Sequence, residues 1–176
     1  MNMKSVINQT IGRRIFIAPI VSFLFLWGVQ SAALAQVTSA AEIINALKPK
    51  PASRSLKVED IPIPKIDLTI NFEFNSARLS PDSQSQLGEL SAALTSPELA
   101  EYNFSVIGHT DAVGGDAYNM RLSKQRADSV GRYLASRYGI AANRLLADGK
   151  GKTQLKAPDQ PDSGVNRRVE IINVSR

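Results

Sequence analysis

Cysteine is absent from the 176 residues, and histidine and tryptophan occur once each. Without cysteine there is no disulfide, no thiolate nucleophile, no thiolate metal site and no cysteine-linked lipid. The single histidine, His109, excludes a multi-histidine metal cage. No metal and no cofactor is therefore expected. Long apolar runs are scarce too. The run Ile15–Val29 has 15 residues, where a membrane-crossing helix needs roughly 20. A transmembrane barrel would need about eight or more amphipathic strands, and the pattern does not supply them. Acidic side chains are missing from the first 35 residues, which hold Lys4, Arg13 and Arg14. Beyond Ala35 there are 18 basic and 16 acidic side chains, so the +5 of the whole chain falls to +2. A near-neutral remainder argues against nucleic acid as a partner.

What is present is ordinary globular material. Apolar residues make up 43% and charged residues 21%, which argues against general disorder. The length allows one domain with flanking segments.

The N-terminus has the layout of an export signal. Arg13 and Arg14 precede the apolar run, and Ala33-Leu34-Ala35 supplies an A-x-A cleavage pattern. Residues 1–35 are expected to be a signal peptide cut after Ala35, leaving a mature form that does not span the membrane. An uncleaved anchor is the alternative, and the twin arginine needs no reading beyond a basic start. Residues 36–65 follow as an N-terminal segment and linker. Ala40 to Leu47 has the makings of a short helix. Pro49, Pro51, Pro62 and Pro64 exclude a helix or central strand across the rest. This segment is a candidate for holding an envelope protein partner.

From Ile66 the pattern becomes regular. Ile66, Leu68, Ile70, Phe72 and Phe74 alternate with polar residues, which predicts a strand with one buried face. Ser80-Pro81-Asp82 predicts a helix start, with Leu87, Leu90 and Leu94 on its inner face. Tyr102 to Gly108 reads as a second strand. Ala127, Val130, Leu134 and Tyr138 place a longer helix over about Ala117 to Tyr138. Gly139 is its left-handed cap. Arg144 to Ala147 and Arg167 to Val174 complete the strands, with Gly149 to Gly164 as surface loop. The fold expected for residues 66–176 is α/β: a two-layer βαβαβ(β) sandwich with helices on a mixed sheet. Two helices cover one sheet face, so the other should be lightly covered.

Polar chemistry gathers at Gly108-His109-Thr110-Asp111, where a strand turns towards a helix carrying Asn119 and Arg126. Such junctions set polar groups on a rigid frame. Together with Tyr118-Asn119, Leu122-Ser123-x-x-Arg126-Ala127, Asn166-Arg167-Arg168-Val169-Glu170 and Phe72-x-Phe74-Asn75-Ser76-Ala77-x-Leu79, this segment resembles the OmpA-like peptidoglycan-binding domain. The likeness covers roughly Asp67 to Val174. It implies a non-catalytic module, in the periplasm or associated with the outer membrane, that grips the diaminopimelate of the wall peptide. The distal end of diaminopimelate bears a free ammonium and a free carboxylate. Asp111 matches the family residue that accepts the ammonium, and Arg126 the one that clamps the carboxylate. Asn119 matches a further headgroup contact. Arg167 is a candidate from the Asn-Arg-Arg motif, and the motif does not choose between it and Arg168 on the other strand face. Lysine-type stems lack the distal carboxylate, so selectivity against them is expected. Before Asn-Arg-Arg the family's Gly-Arg pair is missing. Asp162-Ser163-Gly164-Val165 stands there instead, and no loop contact is carried over.

Other readings compete. Asp111 also suits a turn cap, Arg126 a solvated helix face, and His109 a structural role. A protein–protein adaptor on the sheet's free face is one rival. A hydrolase built on Ser105, His109 and Asp111 is another, but Ser105 stands roughly 13 Å from His109 at ~3.3 Å per residue. Gly149-Lys150-Gly151-Lys152-Thr153 lacks the spacing of a phosphate loop.

Overall fold

A computed structural model describes residues 37–50 and 62–174. The expected signal peptide, its cleavage point and linker positions 51–61 lie outside the described residues.

The sheet has four strands in the order β1-β4-β2-β3. They are β1 (Lys65–Leu68), β2 (Phe104–His109), β3 (Leu145–Gly151) and β4 (Val169–Asn173). β2 runs parallel to β3, and β4 lies antiparallel to both β1 and β2. Three helices, α1 (Ala40–Leu47), α2 (Ser83–Thr95) and α3 (Asp116–Tyr138), complete a mixed α/β domain. Phe104, Val106, Val169 and Ile171 face the helices and join Leu87, Leu90, Leu94, Ala127, Val130 and Leu134 in one core. Gly139 ends α3 in the left-handed conformation at φ 71°, the cap its position predicts.

α1 corrects the sequence reading. It was expected in a tether outside the domain, yet Ile43 and Leu47 are completely buried in the core. A capping box between Ser39 and Glu42 starts the helix. The Thr38 N–H donates to Gln86 Oε1 at 2.8 Å, and Gln86 Nε2 returns a bond to the Thr38 carbonyl at 3.0 Å. Glu89 accepts the Ala40 N–H at 2.7 Å, setting a carboxylate at the helix's positive end. At the other end Asn173 Nδ2 donates to the Leu47 carbonyl at 3.0 Å.

β1 is shorter than the alternation predicts. Leu68 pairs with Val169, the first residue of β4, so the ladder loses its partner there. Ile70 still enters the core. Beyond it Phe72 and Leu79 form a lone bridge around a turn in which Asn75 adopts φ 52°. Phe74, expected in the strand, is fully exposed at the tip of this arch. The expected Ser80 cap also shifts. Ser80 and Pro81 carbonyls form the opening turn, and α2 proper begins at Ser83.

β3 runs further than expected, through Gly149 to Gly151, which had been read as loop. Those glycines let α3 approach the sheet. A Cβ on Gly149 would lie 2.5 Å from Ser123 Oγ and 2.8 Å from Lys124 Cα. Ser123 Oγ instead accepts the Gly151 N–H at 2.9 Å. The resemblance of this stretch to a phosphate loop thus has a packing origin.

The following loop folds back over the outer sheet face. Fully buried Asn166 accepts the Ala157 N–H at 2.9 Å and donates to the carbonyls of Gln160 and Pro161 at 2.9 and 3.0 Å. Arg168 and Lys156 both reach the Asp67 carboxylate, at 3.0 and 2.8 Å. Under this cover Ile107, His109 and Glu170 are buried.

Candidate functional site

β2 ends at His109, and the chain turns through Thr110 and Asp111 into the loop that starts α3. Three bonds hold this turn. The Thr110 N–H donates to the Gly151 carbonyl at 2.9 Å, and the Ala112 N–H to the Pro161 carbonyl at 2.9 Å. Lys152 Nζ donates to the Gly114 carbonyl at 3.0 Å. The turn, the first turns of α3 and the Phe72–Leu79 arch enclose a cleft of about 710 Å³. Asp111, Asn119, Arg126 and Arg167, the four residues singled out from the sequence, all line it.

Asp111 uses both oxygens. Oδ1 accepts the Val113 N–H at 3.2 Å, and Oδ2 accepts from Arg167 Nη1 at 2.8 Å. The turn cap and the charged group are therefore one and the same residue. Of the two arginines in the motif, Arg167 is the one in the cleft, and Arg168 binds Asp67 on the other side of the sheet.

Arg126 is partly buried rather than on a solvated helix face. Its Nε–H donates to the Ser76 carbonyl at 3.0 Å, and its guanidinium lies 5.0 Å from the centre of the Phe72 ring. Burial pulls its pKa down, and the nearby Arg167 charge does the same; Tyr118 and Asp111 pull it back up. An arginine stays cationic at neutral pH under such shifts. The site thus holds a partly desolvated cation, where a carboxylate partner is worth more than at an open surface.

Asn119 is only 2% exposed. Its Nδ2 donates to the Val113 carbonyl at 2.9 Å. In the free protein it braces the 111–115 loop.

Sequence reasoning missed several lining groups. Thr110 Oγ1 is buried with no hydrogen-bond partner among the described residues, and Thr110 lines the cleft. Its place between His109 and Asp111 was the available signal. Phe72 and Phe74 were read as strand residues, yet both line the cleft, Phe72 partly buried beneath Arg126 and Phe74 fully exposed at the rim, with Val113 and Tyr118. The Tyr118 hydroxyl donates to Asn75 Oδ1 and ties α3 to the arch.

His109 is not part of the cleft. Its ring is buried on the outer sheet face, with Nε2 3.6 Å from Glu170 Oε2. Burial, then the Arg168 charge, hold its pKa below the usual histidine value, while Glu170 and Asp67 pull the other way. Ser105 sits further down the strand, its hydroxyl 3.4 Å from the Leu146 carbonyl. Among the described residues no group of three or more acids and histidines can hold a metal, and no helix is long and apolar enough to cross a membrane.

Comparison with known proteins agrees with this architecture. The profile of the OmpA family matches residues 71–168. Outer membrane protein A of Shimwellia blattae is 43% identical over 102 residues, covering 58% of this chain and 42% of that protein. Outer membrane protein A of Bordetella avium is 36% identical over 126 residues, covering 70% of this chain and 60% of that protein. The chain thus spans less than two thirds of these curated relatives. Among solved structures, the OmpA-like domain of FopA1 from Francisella tularensis superposes with a TM-score of 0.53 at 20% identity, over 61% of this chain and 70% of that one. The peptidoglycan-associated lipoprotein from Burkholderia pseudomallei superposes with a TM-score of 0.51 at 27% identity, over 58% of this chain and 86% of that one. With more than half of its residues inside the family profile, this chain is a member of the OmpA family.

Proposed function

We propose that this protein attaches reversibly to peptidoglycan in the periplasm, by holding the distal zwitterion of diaminopimelate in the cleft. Asp111 accepts the ammonium, and Arg126 receives the carboxylate on its terminal nitrogens. The observation that carries the reading is the convergence of the Asp111 carboxylate and the Arg126 and Arg167 guanidinium groups on a single cleft, beside a buried Thr110 hydroxyl without a partner among the described residues. A small headgroup with both charges on one carbon satisfies these groups together. The name of the Burkholderia relative, a peptidoglycan-associated lipoprotein, favours the same ligand. The family is non-enzymatic, and attachment needs no bond to break.

An adaptor role could coexist with wall binding. Its surface is not the inner side of α1, because Ile43 and Leu47 are used inside the core. The sheet's outer face and the proline-rich part of the 36–65 segment are the candidates for such a partner.

Retention on insoluble murein sacculi is the test. The wild type should co-sediment and the Asp111→Ala, Arg126→Ala double variant should stay in solution. Equal retention of the two would remove this site from the account. Release of soluble muropeptides during the assay would favour a hydrolase.

A further inference from the structure

We infer that Arg167 reads a second carboxylate, the main-chain carboxylate of the same diaminopimelate, so that stems ending at this residue bind more tightly than stems capped beyond it. This rests on the diaminopimelate reading above and refines its ligand.

The argument begins with charge. The cleft contains two guanidinium groups, Arg126 and Arg167, against the carboxylate of Asp111. Glu73 also lines it, but Arg78 lies 3.4 Å from the Glu73 carboxylate and offsets it. One positive charge remains over. The distal centre of diaminopimelate brings one ammonium and one carboxylate, which leaves that surplus unchanged. A second carboxylate would neutralise it.

Position then selects which carboxylate. Arg167 touches Asp111 at 2.8 Å, so its guanidinium stands beside the place assigned to the ammonium. The main-chain carbon of diaminopimelate is about 5 Å from the distal carbon, four bonds of ~1.5 Å away. Its carboxylate, when free, is the nearest second anion on the ligand. The carboxylate of the preceding glutamate lies several bonds further along. With its side chain about half exposed, Arg167 has freedom to share Asp111 with the ammonium while meeting this anion.

The local backbone accommodates that placement. A Cβ on Gly164 would lie 2.8 Å from Arg167 Nη2 and 3.4 Å from Cζ. Gly164 belongs to the segment that departs from the family pattern, and its missing side chain makes room for the guanidinium.

Calorimetric titration of the purified full-length protein tests the inference with two muropeptides. One is the tripeptide ending in free diaminopimelate. The other is the same tripeptide with its main-chain carboxyl converted to the amide. The acid should bind about tenfold more tightly than the amide, as expected for one charge-assisted pair. Arg167→Gln should bring the ratio close to one by removing the charge. Gly164→Ala should lower the ratio by displacing the flexible end of Arg167 without loss of fold. Equal binding of acid and amide by the wild type overturns the inference and leaves the diaminopimelate reading intact. A preference that persists in both variants also overturns it. Failure of both muropeptides to bind defeats the diaminopimelate reading and this inference with it.

Discussion

A methyl group on Gly108 of β2 would sit 2.8 Å from the carbonyl carbon of Ser123 in α3, and closer still to its oxygen. Both partners are backbone, so neither can rotate away. The close approach sets the height of α3 above the sheet, and α3 carries Asn119 and Arg126.

Gly108→Ala should therefore destabilise the protein by about 1–3 kcal/mol or more and weaken binding to sacculi together with stability. Gly131, also in α3, would carry a methyl group into open space, with nothing within 4 Å of it. Gly131→Ala should stabilise by about 0.5–1 kcal/mol through helix propensity and leave binding unchanged. Urea titration of the two variants measures the contrast.

Arg126→Lys keeps the charge and loses the planar fork. Binding to diaminopimelate-type sacculi should fall at least tenfold, because an ammonium cannot make two parallel bonds to a carboxylate. Wild-type protein should also retain less lysine-type than diaminopimelate-type wall. Quantitative co-sedimentation with both wall types checks both statements.

Leu47→Ala tests whether α1 belongs to the folding unit. Leu47 is completely buried, so truncation should cost about 2–5 kcal/mol. A change within a few tenths of a kcal/mol in thermal or urea unfolding would mean that α1 is a passive attachment.

His109 predicts an acid sensitivity. Its folded-state pKa is depressed, chiefly by burial. The unfolded chain therefore takes up the proton first as pH falls through about 6.5. Stability should be independent of this group above that pH and should decline below it, at up to about 1.4 kcal/mol per pH unit, until the folded histidine also titrates. Asp67 has a lowered pKa although burial alone would raise it, since Lys156 and Arg168 outweigh that effect. Its contribution is present above about 3.9 and is lost as pH falls further. His109→Gln should flatten the first decline and leave the second. Urea midpoints measured from about pH 7.5 down to about pH 2 separate the two.

Much of the fold is legible because local pattern and tertiary structure agree. α3 shows its apolar face at helical spacing and ends on a glycine that can adopt positive φ. The misreadings share a cause, namely that the deciding partner is distant in sequence. β1 stops where β4 supplies no further partner, which alternation cannot reveal. Gly149 and Gly151 resemble loop residues, although the reason for glycine there is the helix lying above them. α1 looks like an isolated turn of helix until Gln86, Glu89 and Asn173 are brought beside it. Motif resemblance singled out Asp111, Asn119, Arg126 and Arg167, which line one cleft. It did not reveal that Arg167 pairs with Asp111, or that Asn119 points an amide at Val113.

The fastening of α1 also determines how the domain meets mechanical force. A pull on the chain ahead of Val37 arrives first at the reciprocal amide pair between Thr38 and Gln86, then at the Glu89 cap. Behind them stand Ile43 and Leu47, buried in the core. The polar bonds at Thr38 and Ala40 thus stand in series with the apolar anchor, so a pull from the N-terminal side meets separable hydrogen bonds before any core surface is bared.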